Sequence, residues 1–259
     1  GRADTRSPTA FSLGPSPQST ATLSKGQRNR GRMMMKWQTP IFVSNLHAVH
    51  AGAAQLNANL TAAVLDRYRR FAAADPTLQN VGWQPNGANQ RFFEWQTAAG
   101  GWDNLATSAA VAADVAVLTD FLQLATDNFL LNFGLSADEV HSRDRGPPHM
   151  WATVHARGMH HMRHSHPGHL VSGVYYLQVP EDAGPIVLED PRGTGRPPFD
   201  DKMYYRPVEG DLILFPSWLM HEVPPTPGAM ARVSIAVNMP GEWHTSTGVS
   251  AEFDAPLSQ

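Results

Sequence analysis

The sequence predicts a β-core of antiparallel strands, a sandwich or barrel, with helices packed on its outside. Two observations predict it. After Pro148 short segments rich in Val, Ile, Tyr and Phe are separated by Gly, Pro and Asp, the spacing of an antiparallel β architecture. Before it lie two stretches whose apolar residues recur at three- and four-residue steps, the period of a helix with one buried face. Helices followed by a run of strands places the helices around the strands.

The elements follow in order. Ile41-Phe42-Val43 reads as a short strand. A helix over about 57–74 is carried by Leu60, Val64, Leu65, Tyr68 and Phe71, and Asp75-Pro76 stops it. A loop containing Gly82-Trp83 and Pro85-Asn86-Gly87 follows. A second helix over about 104–133 has a stripe of Val111, Val115, Leu118, Leu122, Ala125 and Phe129 and ends at Gly134. The strand segments are Met150–His155, Leu170–Val179, Ile186–Glu189, Lys202–Arg206, Asp211–Phe215, Trp218–Val223 and Ala231–Asn238. The β-core thus spans about 149–240, within one domain over 37–259.

Residues 1–36 differ. They carry seven basic side chains and one acidic, a charge of +6 that leaves −9 for the rest of a chain of net charge −3. Rich in Ser, Thr, Pro and Gly, they cannot bury enough surface to offset their ordering entropy, and they read as a disordered basic leader. Upstream sequence with the start at Met33, Met34 or Met35 is one expectation; a transit peptide is the other. The expected location is cytoplasmic, with organelle targeting by the leader as the alternative. The net charge does not suggest a nucleic-acid partner. No run of 18 apolar residues indicates a membrane span. The lack of cysteine removes disulfides, thiolate metal sites and a thiol nucleophile. A homodimer is the default assembly.

Seven of the twelve histidines lie between His149 and His169. His164-Ser165-His166 precedes the most strand-like segment, and residues i and i+2 of a strand share a face. The pair can converge on one ion, since neutral imidazole is a common metal ligand. His221, between two apolar segments 57 residues later, supplies a third ligand across the β-core. Two ligands from one strand and one from another form a facial triad, which leaves coordination positions open. Arg232 and Ser234 share a face of the last apolar strand. A guanidinium fork and a hydroxyl suit a carboxylate held end-on; the competing reading is a structural Arg paired with a buried acid.

These motifs in combination resemble a family of bacterial iron(II)/2-oxoglutarate-dependent oxygenases. The pattern comprises Trp151, Gly158, His164-Ser-His166-Pro167, Ser172-Gly-Val-Tyr-Tyr-Leu177, Asp190-Pro-Arg192, Gly210-Asp211, Phe215-Pro-Ser-Trp218, His221 and Arg232-Val-Ser234. With Thr39-Pro-Ile41 and Gly82-Trp83 it covers roughly 37–240. The resemblance implies a mainly β fold with packing helices, built on a double-stranded β-helix (a cupin-like jelly roll). It implies Fe(II) on His164, His166 and His221, with His169 as the alternative to His166. It implies 2-oxoglutarate on Arg232, with Ser234 assisting and Tyr176 beside it. Molecular oxygen would be the co-reactant, with hydroxylation of a small-molecule or protein substrate and release of succinate and carbon dioxide. Arg192 and the loop 193–201 would line the entrance, or Arg192 would only stabilise its turn. Better-known relatives of this fold have Asp or Glu where this chain has His166, and His161 stands where Asn is expected. Three alternatives stay open: a three-histidine dioxygenase or an isomerase without 2-oxoglutarate, and a non-catalytic metal-binding jelly roll.

Overall fold

The computed structural model describes residues 39–74, 92–93, 95–97, 108–141, 146–193 and 202–241. The basic leader, the Asp75-Pro76 stop, the 82–87 loop and the entrance loop beyond Gly193 lie outside these residues.

Two helices precede the β-core. Helix α1 spans Ala53–Ala74 and α2 spans Ala109–Phe133. The first begins four residues before the expected Asn57, because Ala53 and Leu56 are already buried. Ser108 caps α2 by accepting from the Val111 N–H. Gly134, at φ 108°, takes the left-handed conformation that closes its C-terminus. A short helix, α3 (Ala137–His141), follows and buries Val140; five residues are too few to show a period in the sequence. By length and composition α2 could also cross a bilayer. Asp114, Thr119, Asp120 and Gln123 are among the residues that interrupt its apolar run, so it holds no 18 consecutive apolar residues. In the fold Leu118, Leu122, Phe129 and Leu130 are buried in a cluster shared with α1 and the β-core.

The strands are β1 (Phe42–Asn45), β2 (Phe92–Phe93), β3 (Trp95–Gln96), β4 (His149–His155), β5 (His160–His164), β6 (His169–Gln178), β7 (Ile186–Glu189), β8 (Lys202–Tyr205), β9 (Asp211–Pro216), β10 (His221–Val223) and β11 (Arg232–Pro240). They form a six-stranded sheet in the order β1-β9-β6-β11-β4-β3 and a five-stranded sheet in the order β2-β5-β10-β7-β8. All described pairings are antiparallel. From β4 to β11 the chain crosses from sheet to sheet at every step except the β7–β8 hairpin. This winding is the double-stranded β-helix, a mainly β jelly roll with helices packed on it.

The two faces of the large sheet have different tasks. One face, with Ala152 and Val154, Val171 and Tyr175, Leu212 and Leu214, and Val233 and Ile235, packs with the helices into one apolar cluster. The period of two sends Thr153, Tyr176, Phe215 and Arg232 to the other face. There Tyr176, Ile213 and Phe215 meet Ile186, Leu188 and Val223 of the small sheet. Gly173 allows β6 and β9 to approach: a Cβ there would stand 2.5 Å from the Ile213 carbonyl oxygen.

Strand β5 is the element that the sequence least suggests. His160-His161-Met162-Arg163-His164 has no apolar alternation, yet it pairs with β2 and β10. The expected segment Trp218–Val223 is shorter as a strand, because Ser217 and Trp218 form a turn before β10.

Candidate active site

A cavity between the sheets is lined in part by buried polar residues. Its walls include Trp151, Thr153 and His155 of β4, Tyr176 of β6, Arg232 and Ser234 of β11, and four further imidazoles: His161, His164, His166 and His221.

His164, His166 and His221 converge: each offers a ring nitrogen, and the three atoms lie within 4.8 Å of one another. His164 ends β5 and His221 begins β10, as direct partners in the ladder. His166 reaches the same point differently from the expectation. It stands beyond the end of β5, in the turn to β6, so strand alternation does not place it. Its N–H donates to the Ser217 carbonyl at 2.8 Å, which ties it to the turn before His221. His169 is not in the group: it begins β6, its ring edge-on to His149 at 5.5 Å.

The proton positions on two rings follow from their partners. His164 Nδ1 lies 2.8 Å from the Met162 carbonyl, and His221 Nδ1 lies 2.8 Å from that of Leu219. A carbonyl only accepts, so each Nδ1 carries the hydrogen and Nε2 keeps its lone pair. Burial disfavours the imidazolium throughout the group. Burial first, then His161, His221 and His166, holds His164 far below the ordinary histidine range. Burial, followed by His221, His161 and His169, pushes His166 down to about 3. Burial, partly opposed by the Leu219 carbonyl, takes His221 to about 4. Neutral rings are the ligand form, so this donor set fits a metal ion.

His161 joins the group through a bulge. His221 pairs with His164 and Val223 with His161, so the register shifts by one residue between them. The shift puts His161 on the same side as His164, stacked on it at 3.9 Å between ring centroids. A strict period of two separates these residues, so spacing conceals the contact.

Arg232 is 1% exposed. Its Nη1 donates to the Gly184 carbonyl at 3.1 Å and its Nη2 to His155 Nδ1 at 3.3 Å. Neither of those partners is an acid, unlike the structural pairing considered from sequence. The Tyr176 ring faces the guanidinium at 5.8 Å, and burial raises the Tyr176 hydroxyl to about 12. The Ser234 hydroxyl is 2.7 Å from that of Thr153, opposite it in the ladder. The sequence singles out Arg232, Ser234 and Tyr176; it gives no sign of His155 or Thr153, which reach the cavity by cross-strand pairing. Arg192 binds Asp190 two residues back with Nε and Nη2, the contact of a turn-stabilising residue.

Residues 149–238, from β4 to β11, match a family described as "Putative 2OG-Fe(II) oxygenase". No curated protein matches the chain at a significant level. Among solved structures it is similar to a prolyl hydroxylase from Trichoplax adhaerens in complex with a peptide fragment of the oxygen degradation domain of hypoxia inducible factor. That alignment has 16% identity and a TM-score of 0.50, covering 77% of this chain and 83% of that one. A Pseudomonas putida prolyl-4-hydroxylase aligns at 18% identity and a TM-score of 0.47, over 79% of this chain and 94% of that one. The first of these likenesses supports the fold. By the family match over β4 to β11, the chain is an iron/2-oxoglutarate-dependent dioxygenase, with Fe(II) and 2-oxoglutarate as its cofactors and molecular oxygen as co-substrate.

Proposed function

We propose that the chain hydroxylates a substrate with release of succinate and carbon dioxide, and that its site is built from His164, His166, His221, Arg232, Ser234 and Tyr176. The observation that carries the reading is that the imidazole group and the buried guanidinium line one cavity.

Fe(II) with 2-oxoglutarate supplies oxygen activation when bound. The chain's residues do the rest. His164, His166 and His221 would hold the metal, and three neutral donors leave the centre one positive charge richer than a set with a carboxylate. The Arg232 fork would take the distal carboxylate of 2-oxoglutarate. Its guanidinium is buried in the same cavity wall as Ser234 and Tyr176. Within the Ser234–Thr153 pair one hydroxyl donates to the other, and the accepting one keeps its own proton to offer a carboxylate oxygen. Tyr176 and Phe215 close the walls with apolar rings and keep water from the reacting groups.

Titrating the anaerobic iron-loaded protein with 2-oxoglutarate tests the reading. Chelation should bring up a weak visible charge-transfer band, and turnover in air should yield succinate. Iron binding without the band and without succinate would move the chain to the three-histidine dioxygenases or isomerases that need no 2-oxoglutarate.

A further inference from the structure

The three converging imidazoles are not held alike. His164 and His221 rest on backbone carbonyls, which can only accept. His166 Nδ1 faces the side-chain amide of Asn238, with Nδ2 3.3 Å away. Asn238 is 4% exposed, and its Oδ1 accepts from the Ser172 hydroxyl at 2.7 Å. Ser172 is buried as well, directly opposite Asn238 in the β6–β11 ladder.

These contacts constrain His166. An amide nitrogen has only protons to give, so His166 Nδ1 is the acceptor. The hydrogen of the neutral ring then sits on Nε2, and no lone pair is left there for a metal. The alternative needs little movement. The two ends of an amide are nearly the same in shape, and a half-turn of the Asn238 side chain exchanges Oδ1 and Nδ2 within the same space. After the exchange, His166 Nδ1–H donates to Oδ1, and Nε2 carries the lone pair. Nδ2 then donates to Ser172, whose hydroxyl accepts as readily as it donates.

We propose that Asn238 is the positioning residue of His166: its amide, steadied by Ser172, selects the tautomer of that imidazole and turns over when a metal binds through Nε2. The proposal rests on the reading of His166 as a ligand. Residues that orient a metal-bound imidazole typically contribute roughly 10- to 100-fold to metal affinity.

The test uses Zn(II), which has no redox chemistry, on the full chain, with long-range 1H–15N spectra of the imidazoles and the melting temperature of the metal-free protein. His166→Ala comes first. If it binds zinc as tightly as the parent, His166 is not a ligand and the site reading itself fails. If it binds more weakly, the Asn238 variants decide the inference alone. Metal-free parent should show His166 protonated at Nε2, and the zinc form protonated at Nδ1. Asn238→Asp offers only acceptors. It should hold the Nδ1–H form before zinc is added, and bind at least as tightly as the parent. Asn238→Leu should bind roughly 10- to 100-fold more weakly. Parent affinity in Asn238→Leu, zinc bound through Nδ1, or the same His166 tautomer in Asn238→Asp as in the parent overturns the proposal. So does a fall in melting temperature in both variants with no change of tautomer, which would be a packing role only. If Asn238→Leu does not fold, the His166 tautomer in Asn238→Asp decides between the two.

Discussion

Arg232 and Ser234 sit inside β11, between β4 and β6, where pairing to β4 runs in register from Arg232 to Asn238. The three imidazoles stand instead at the ends of β5 and β10, strands of five and three residues with a bulge between them, and in a turn. One cavity thus joins a proposed carboxylate end, unbroken in its β4–β11 pairing although the β6 side shifts register between Val233 and Ser234, to a proposed metal end assembled from strand ends. The difference predicts how each fails. Side chains at the Arg232 end are placed by backbone pairing, and losing one should change affinity without moving its neighbours. The imidazole residues at strand ends rest on contacts to Met162, Leu219, Ser217 and Asn238, and a bound ion would tie them together.

The largest effect should come from removing an imidazole. His164→Ala or His221→Ala takes away one of three donors from a group with no carboxylate in it. Metal analysis after anaerobic loading should show loss of stoichiometric iron, and turnover should cease. His166→Asp sharpens the point, because it restores the His-x-Asp pattern and should keep the metal. Stoichiometric iron in His221→Ala would show that the metal end does not depend on this cluster.

Next is Arg232→Ala. Truncating one partner of a buried charge-assisted pair costs about 2–5 kcal/mol, or roughly 30- to 4,000-fold in 2-oxoglutarate affinity. Iron content should stay near normal, since Arg232 belongs to the other end. Arg232→Lys should recover only part, because an ammonium cannot reproduce the fork. A folded, iron-loaded Arg232→Ala protein with parental 2-oxoglutarate affinity would return Arg232 to a structural role.

How much was legible follows the same division. Period-two strands with apolar faces stand out: Ile186–Glu189 emerges with the bounds of β7, and Asp211–Phe215 falls one residue short of β9. Such strands pack on both sides, so hydrophobicity marks them. Strand β5 has Met162 as its one apolar residue and its bulge breaks the alternation, so neither the element nor the His161–His164 stack shows in spacing. The His-x-His pair can be picked out by type, although a turn rather than a strand brings its second member to the group. His155, Thr153, Ser172 and Asn238 belong to the site only through cross-strand partners, and pairing register is a property of the fold, not of a local window.

Acid should affect the metal end of the metal-free protein. A histidine whose folded pKa lies below its ordinary value of about 6.5 stabilises the fold fully above that pH and loses the contribution as pH falls toward the folded value. For His221 the window closes near about 4 and for His166 near about 3, in both cases mainly because burial disfavours the imidazolium. Within it stability should fall by up to about 1.4 kcal/mol per pH unit for each ring that stays neutral in the fold. Melting temperatures of the apo-protein from about pH 7 to about pH 4.5 should therefore drop more steeply in the parent than in His221→Ala. Equal slopes would mean that the rings take up protons in the folded state at their ordinary pKa.

The smallest effect should come from the hydroxyl pair at the other end. Thr153 and Ser234 satisfy each other at 2.7 Å, and both are buried. Ser234→Ala removes the hydroxyl beside the Arg232 fork and keeps the strand. If Ser234 assists the carboxylate, the loss is one neutral hydrogen bond, about 0.5–1.5 kcal/mol, or roughly 2- to 13-fold in 2-oxoglutarate affinity. Thr153→Val separates this from a packing effect. It keeps the shape and takes away only the partner of Ser234, whose hydroxyl can then turn wholly to the ligand. Its affinity should lie above that of Ser234→Ala at similar thermal stability. Equal losses in both variants would mean that the carboxylate is read by the pair as a unit. Unchanged affinity in Ser234→Ala would leave Arg232 as the sole determinant at that end, and the ladder pairing of Thr153 with Ser234 as a device of the sheet alone.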